Sequence, residues 1–321
     1  MSDFHLLVIA NPASPLMASL SRLPQDIRSV VSEDPEQLRQ GAAEADAVLF
    51  AHGNDGLLTG VLPLVRARWI HCLWTGVDNI LTPELRRHPA TLTNGRGVFR
   101  WPLADWVVGV MLFYSFDLRR VLKQQEQGIW KPFVSSTLEG RTLGIVGYGA
   151  IGSTVASRAR PFGMKIAALR RRPERFDTDS LIDRSYGPGQ LHDLIAASDY
   201  LLVVTPLTPE TRGMIGEAEL AQMKPSAVII NIGRGPVIDE PALIRVLQSG
   251  AIRGAALDVF SQEPLPAEHP FWRMTNVLLS PHTADRVEGF LNPAFDCFFE
   301  NLRRFRSGET LENVVDKHAG Y

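Results

Sequence analysis

Short apolar runs, separated by longer segments with helical periodicity, recur along the whole chain. In the first third, Phe4–Ala10, Asp46–Ala51 and Trp69–Trp74 are β-rich, and "DPEQLRQGAAEA" and "GLLTGVLPLVRA" between them place apolar residues at helical spacing. A second series follows, with apolar runs at Leu143–Gly147, Lys165–Arg170, Tyr200–Thr205, Ala227–Ile232, Gly254–Val259 and Val277–Ser280. Helical segments such as Leu191–Ala197 and Pro241–Gln248 separate them. Short apolar strands alternating with helices predict an α/β protein with parallel sheets. Between the two series, "WPLADWVVGVMLFYSFDLRRVLKQQEQ" (Trp101–Gln127) predicts one long helix, apolar nearly all round in its N-terminal half and therefore buried there. After Ser280, Val287, Phe290, Leu291, Ala294, Phe295, Phe298, Phe299, Leu302 and Phe305 recur on one helical face. That stripe predicts core packing.

Composition narrows the picture without naming a chemistry. A chain of 321 residues is long enough for two ordinary domains. Its 45% hydrophobic content and mean hydropathy of -0.02 are those of a globular protein. A formal net charge of -2 offers no footprint for nucleic acid, so any cationic site must be local. Cys72 and Cys297 have no metal-like spacing. The start "MSDFHLLVIANP" lacks a basic segment and a long apolar run, and no stretch is apolar for long enough to span a bilayer. The expectation is a cytoplasmic protein that engages no membrane.

The first chemistry appears in "RTLGIVGYGAIGSTVASRARPFG", where Gly147, Gly149 and Gly152 form G-x-G-x-x-G directly after a predicted strand and at the opening of a helix. In that context Gly147 permits a tight turn, Gly149 lets the backbone approach a pyrophosphate, and Gly152 allows helix and strand to pack closely. The helix N-terminus supplies N–H groups for the anion. The next strand ends in "KIAALRRRPERF". An NAD site would place a carboxylate there for the ribose 2′-hydroxyl. This chain instead has Arg170, Arg171 and Arg172, and no carboxylate before Glu174. Guanidinium forks suit a 2′-phosphate, so the arginines favour NADP(H), with NAD(H) as the alternative and a solvated turn as the plain explanation.

Three downstream segments add catalytic groups: "NIGRGPVIDE" (Asn231–Glu240), "ALDVFSQEPLP" (Ala256–Pro266) and "LLSPHTA" (Leu278–Ala284). With the glycine motif and "TPLTPETRGMIG" (Thr205–Gly216), the chain resembles the D-isomer-specific 2-hydroxyacid dehydrogenases, and among them the glyoxylate/hydroxypyruvate reductases. The resemblance implies that Arg234 binds the substrate carboxylate and polarises its keto oxygen. It implies that His282 is the acid/base, paired with Glu263, and that Asp258 lies near the nicotinamide carboxamide. Tyr148, Ala150 and Ile151 in the glycine motif, Thr205, Pro206 and Thr211, and Ile232 and Gly233 become candidate cofactor contacts. "LWTGVDNI" (Leu73–Ile80) resembles the family's substrate loop, which makes Thr75, Gly76 and Val77 substrate-binding candidates. Asp105 stands where the family commonly has Glu, and no catalytic role is assigned to it. Trp74, Phe99 and Trp101 either set side-chain preference or pack structurally.

The residue chemistry agrees with that implication. Reduction of a 2-keto acid requires a proton donor for the developing alkoxide and a fixed cation for the carboxylate. Histidine titrates near neutrality, a carboxylate partner favours its imidazolium form, and arginine has the planar fork. The expected architecture is two Rossmann-like or flavodoxin-like parallel-sheet domains with the active site in the cleft between them. Residues 1–100 with 284–321 form the substrate domain, and residues 101–283 bind the dinucleotide. The expected reaction is NADPH-dependent reduction of a small 2-keto acid to the D-2-hydroxy acid by a homodimer. Alternatives are an NAD-linked dehydrogenase of a larger or aromatic D-2-hydroxy acid and a nucleotide-sensing, corepressor-like binding protein. His52, which follows the apolar run of "FAHGNDG", is a further candidate for the site. The remaining histidines, His71 among them, are expected to be surface or filler residues.

Overall fold

The computed structural model describes residues 4–170 and 179–321. They divide into two compact units, Met1–Phe99 with Glu288–Tyr321, and Arg100–Val287. Each contains one sheet in which every strand pairing is parallel.

The first unit holds β1 (Phe4–Ile9), β2 (Ile27–Ser32), β3 (Ala47–Phe50), β4 (Trp69–Cys72) and β5 (Thr91–Asn94) in the order β2-β1-β3-β4-β5. This is the flavodoxin-like order. The second unit holds β6 (Thr142–Val146), β7 (Lys165–Leu169), β8 (Arg184–Tyr186), β9 (Tyr200–Val203), β10 (Val228–Asn231), β11 (Gly254–Leu257) and β12 (Val277–Leu279). Their order, β12-β11-β10-β9-β6-β7-β8, is the Rossmann order extended by one strand at its far edge. The two sheets match the predicted fold class. Central strands such as β3, β9 and β10 are buried at every residue, as sheets covered on both faces require.

Three strands, β2, β5 and β8, have no counterpart among the apolar runs of the sequence. All three end a sheet; β2 and β8 are partly exposed there, whereas β5 is buried from Leu92 to Asn94 but built largely of polar residues. The helix expected over Trp101–Gln127 is two helices, Arg100–Ser115 and Leu118–Glu126. Asp117 between them has φ 50°, a left-handed conformation that a right-handed helix cannot pass through. The first helix buries Val107, Val110 and Met111, whereas the second buries no residue. Among the described residues no helix is long and apolar enough to cross a membrane.

The C-terminal helix Leu291–Ser307 closes the core of its unit through Ala294, Phe295, Phe298 and Leu302. Val287 lies outside that helix and is half exposed, so the predicted stripe begins later than its spacing suggests. Phe298 stacks on Trp69 at 5.7 Å and 15°, and Phe305 approaches the same indole at 5.3 Å. Trp69 donates to the Thr93 hydroxyl at 2.8 Å, which also contacts His71 Nδ1 at 2.7 Å. His71 is therefore a core residue, not a surface one, and burial pushes its pKa down to about 3. It is neutral at physiological pH, so the core carries no buried charge there.

Truncation of Phe298 to alanine removes the ring that joins this helix to the sheet. Phe298→Ala should lower the unfolding free energy by about 3–5 kcal/mol, read from the midpoint shift in urea denaturation. A loss below 1 kcal/mol would show that the site collapses around the cavity.

Candidate active site

The cradle forms where β6 runs into the helix Ala150–Ala159. Gly147 has φ 102°, and a Cβ there would lie 2.8 Å from Thr205 N. A Cβ at Gly152 would meet the Gly147 carbonyl oxygen at 2.9 Å, whereas one at Gly149 would meet nothing within 4 Å. The first and third glycines thus serve close backbone packing, and the second faces open space. Gly149 is the N-cap and provides no side-chain bond to the helix, so the first-turn amides remain directed outward. These are the features that a pyrophosphate needs, and the residues fit a dinucleotide.

The rest of the cradle converges on the turn after β9. A Cβ on Gly233 would sit 2.9 Å from the Thr205 carbonyl oxygen, so Thr205 lies against both Gly147 and Gly233. The Thr211 hydroxyl donates to Pro206 O at 2.7 Å and accepts from Thr208 N at 2.8 Å, so it shapes this loop from within. Ile232 is buried beside Gly233. Arg170, at the end of β7, donates through Nε and Nη2 to the Tyr148 carbonyl at 3.2 and 3.0 Å. Arg171 and Arg172 lie outside the described residues.

Arg234 follows β10 in a loop braced by Asn231. The Asn231 side chain accepts from Gly233 N and donates to Arg234 O, both at 3.0 Å. A Cβ on Gly235 would fall 2.0 Å from the Phe260 carbonyl carbon, so the arginine loop lies directly on the backbone that leads to Glu263. Phe260 N in turn donates to Glu263 Oε1 at 2.9 Å. The other carboxylate oxygen meets His282 Nδ1 at 2.7 Å. Arg234, Glu263 and His282 therefore gather in one unit from the ends of β10, β11 and β12.

Asp258 anchors the histidine loop. Its buried Oδ1 accepts from the Ser280 hydroxyl at 2.6 Å, Thr283 N at 2.8 Å and Ala284 N at 3.1 Å. His282 has φ 52°, an uncommon conformation for this residue, and its N–H is held by Asp258 O at 2.9 Å. The sequence pointed to Asp258 as a neighbour of the cofactor; its described contacts hold the loop that carries His282. Asn231 and Ser280 were not legible as site residues, although both sit at strand ends of the cofactor sheet.

Electrostatics follows from this geometry. The hydrogen bond from Glu263 raises the His282 pKa above the ordinary 6.5, assisted by the charges of Glu263 and Asp258 and opposed by burial and by the Arg234 cation. Burial pushes the Glu263 carboxyl up, but its bonds from His282 and Phe260 and the nearby positive charges outweigh it, and the net shift is downward. Burial raises Asp258. Both partners of the His282–Glu263 pair thus favour imidazolium with carboxylate.

In the other unit, Thr75 donates to Gly95 O at 2.8 Å and its carbonyl accepts from Asn94 Nδ2 at 2.6 Å. Among the described residues no acceptor pairs with the Gly76 or Val77 amides. The turn is rigid: Val77 is buried, and a Cβ on Gly95 would lie 2.5 Å from Leu73 O. Trp74 donates to His52 O at 3.4 Å, and His52 itself contacts Glu33 at 3.1 Å. Asp105 pairs with Arg158 at 3.0 Å, whose guanidinium also lies 4.7 Å over the Trp101 ring. Phe99 is buried and lies 6.4 Å from the Phe290 ring.

Residues 108–284 match the model of the D-isomer specific 2-hydroxyacid dehydrogenase NAD-binding domain. The chain belongs to the D-isomer-specific 2-hydroxyacid dehydrogenase family. It is 37% identical to a glyoxylate reductase of Thermococcus gammatolerans over 88% of this chain and 86% of that protein. It is 33% identical to glyoxylate/hydroxypyruvate reductase B of Shigella boydii, over 91% and 92% of the two chains. Among solved structures, the NADPH-dependent glyoxylate/hydroxypyruvate reductase of Sinorhizobium meliloti, in complex with NADP and sulfate, superposes with a TM-score of 0.86 at 26% identity. It covers 99% of this chain and 100% of that one. In this family member the dinucleotide cradle and the Arg234, Glu263 and His282 cluster share one domain.

Replacement of the charged partner tests the electrostatics of the pair. In Glu263→Gln the His282 pKa should fall, because the hydrogen-bonded carboxylate that raises it is gone. NMR titration of the imidazole reads it, and an unmoved pKa would show that Glu263 does not hold the proton.

Proposed function

We propose that the protein is an NADPH-dependent reductase of small 2-keto acids of the glyoxylate or hydroxypyruvate type, forming the D-2-hydroxy acid. The observation that carries this reading is the 2.7 Å His282–Glu263 pair with Arg234 beside it, in a domain whose glycine cradle fits a dinucleotide. Gly147–Gly152, Thr205, Ile232 and Gly233 would hold the cofactor, and Arg170 would favour the form bearing a 2′-phosphate. When bound, the reduced nicotinamide supplies the hydride.

The chain's own groups do the rest. Arg234 fixes the substrate carboxylate and polarises the keto oxygen through charge-assisted hydrogen bonds. His282, with Nδ1 committed to Glu263, presents Nε2 to that oxygen and delivers the proton as the alkoxide develops. A raised histidine pKa keeps the donor protonated below it, and reduction weakens as pH rises through it. In the reverse direction the neutral ring accepts the proton, so oxidation gains as pH rises. The unit of residues 1–99 and 288–321 is read as the substrate domain, and its Gly76 and Val77 amides are candidate carboxylate donors.

The functional test is NADPH oxidation with a panel of 2-keto acids. Glyoxylate or hydroxypyruvate should give the highest kcat/KM, with NADPH preferred over NADH by at least about tenfold, the worth of one charged hydrogen bond. Arg234→Gln should lower kcat/KM by about 10²–10⁴-fold through the loss of two charged hydrogen bonds. Absence of turnover with every 2-keto acid would favour the corepressor-like alternative.

A homodimer is proposed on the apolar surface that the helix Leu118–Glu126 and its following segment expose. Trp130 and Val134 are each 97% exposed, and Phe116, Val121, Leu122 and Ile129 accompany them. So many exposed large apolar side chains within one short stretch of chain favour an interface there. The wild-type protein should elute as a dimer at micromolar concentration, and the double variant Leu122→Asp with Trp130→Ala as a folded monomer, by light scattering. A monomeric wild type would overturn the assignment.

A further inference from the structure

The second position of the glycine motif is occupied by Tyr148, whose side chain a dinucleotide cradle does not require. The residue is nonetheless buried, between Gly147 and Gly149, and its contacts include three with Arg170 and Asp179. Its carbonyl accepts from Nε and Nη2 of Arg170 at 3.2 and 3.0 Å. The guanidinium carbon of Arg170 lies 5.0 Å over the phenol ring. The phenol hydroxyl donates to Asp179 Oδ2 at 2.9 Å. Asp179 is itself fixed, since its Oδ1 accepts from Leu181 N at 3.1 Å and its carbonyl accepts from Ile182 N. Arg170 is also held at its backbone, where its N–H donates to Tyr186 O of β8 at 3.1 Å.

We propose that Tyr148, braced by Asp179, is a positioning residue that presets Arg170 for the 2′-phosphate of NADP(H) and so sets the choice between the two cofactors. The inference rests on the NADPH reading above and deepens it. A long arginine side chain loses rotamer freedom when it is ordered on a ligand. Ordering it beforehand removes that cost from binding, so affinity rises without a new contact to the ligand. The tyrosine supplies two means of ordering. Its carbonyl takes two N–H groups of the fork, and its ring offers a face for the cation. The hydroxyl bond to Asp179 fixes the angle of the ring beneath the guanidinium. A Phe at this position would keep the carbonyl and the face but lose the brace.

Isothermal titration with NADP⁺ and NAD⁺ tests the idea on wild type, Arg170→Ala, Tyr148→Phe and the double variant. Tyr148→Phe should weaken NADP⁺ about fivefold, the equivalent of ~1 kcal/mol for one hydrogen bond, and leave NAD⁺ within twofold. In the Arg170→Ala background the same change should add nothing, because the tyrosine acts through the arginine. Equal weakening of both cofactors by Tyr148→Phe would assign it a general structural role and overturn the proposal. An unchanged NADP⁺ to NAD⁺ ratio in Tyr148→Phe, with a lowered ratio in Arg170→Ala, would overturn the brace while leaving the phosphate reading intact. An unchanged ratio in Arg170→Ala would instead refute the phosphate reading on which the proposal stands. Tyr148→Phe removes one hydroxyl, and the variant's thermal midpoint confirms that the comparison is made on folded protein.

Discussion

The hydrogen bond between Glu263 and His282 ties the position of the imidazole to its charge. A carboxylate at 2.7 Å engages Nδ1, leaves Nε2 as the other ring nitrogen, and keeps the ring protonated above its ordinary range. The arrangement works because Arg234 is close enough to act on both groups without joining the pair. Its cation lowers the Glu263 pKa and also opposes the imidazolium. The carboxylate wins at the histidine because it bonds directly, whereas the arginine acts only at longer range. An imidazolium and a guanidinium can therefore coexist in one cluster.

Holding three charged groups there demands a rigid backbone, and glycines supply it by exclusion. Gly235 admits no side chain because the Phe260 carbonyl occupies that space, so the Arg234 loop rests on the segment that carries Glu263. Gly147 and Gly233 likewise press against Thr205 from the cradle and from the arginine loop. The cofactor cradle and the catalytic loops are thus joined through backbone contact, where little relaxation is available. Asp258 adds the third restraint, binding Ser280, Thr283 and Ala284 at once and holding His282 in a left-handed conformation.

Much of this was legible in the chain. Buried parallel strands are nearly pure apolar runs, so β6, β7, β9 and β10 stand out, whereas the edge strands β2, β5 and β8 do not. The break at Asp117 was invisible because both halves of the segment have helical periodicity, and a single left-handed residue leaves no mark on that pattern. Arg234, Glu263 and His282 were legible because each lies in a motif with its own spacing. Asn231 and Ser280 were not, since a small polar residue at a strand end is common and only its partner makes it a brace. His71 misled in the other direction: a polar residue amid short strands reads as surface until Trp69, Thr93 and Phe298 are seen around it.

The sequence by itself determined the family, the alternation of strands and helices, the dinucleotide motif and which residues are the candidates for catalysis. Those properties depend on local pattern and residue chemistry, which neighbours along the chain preserve. The tertiary structure alone decided that Asp258 secures a loop, that Tyr148 lies beneath Arg170, and which glycines exclude a side chain. Each of these depends on a contact between residues far apart in the chain, at distances that no spacing encodes.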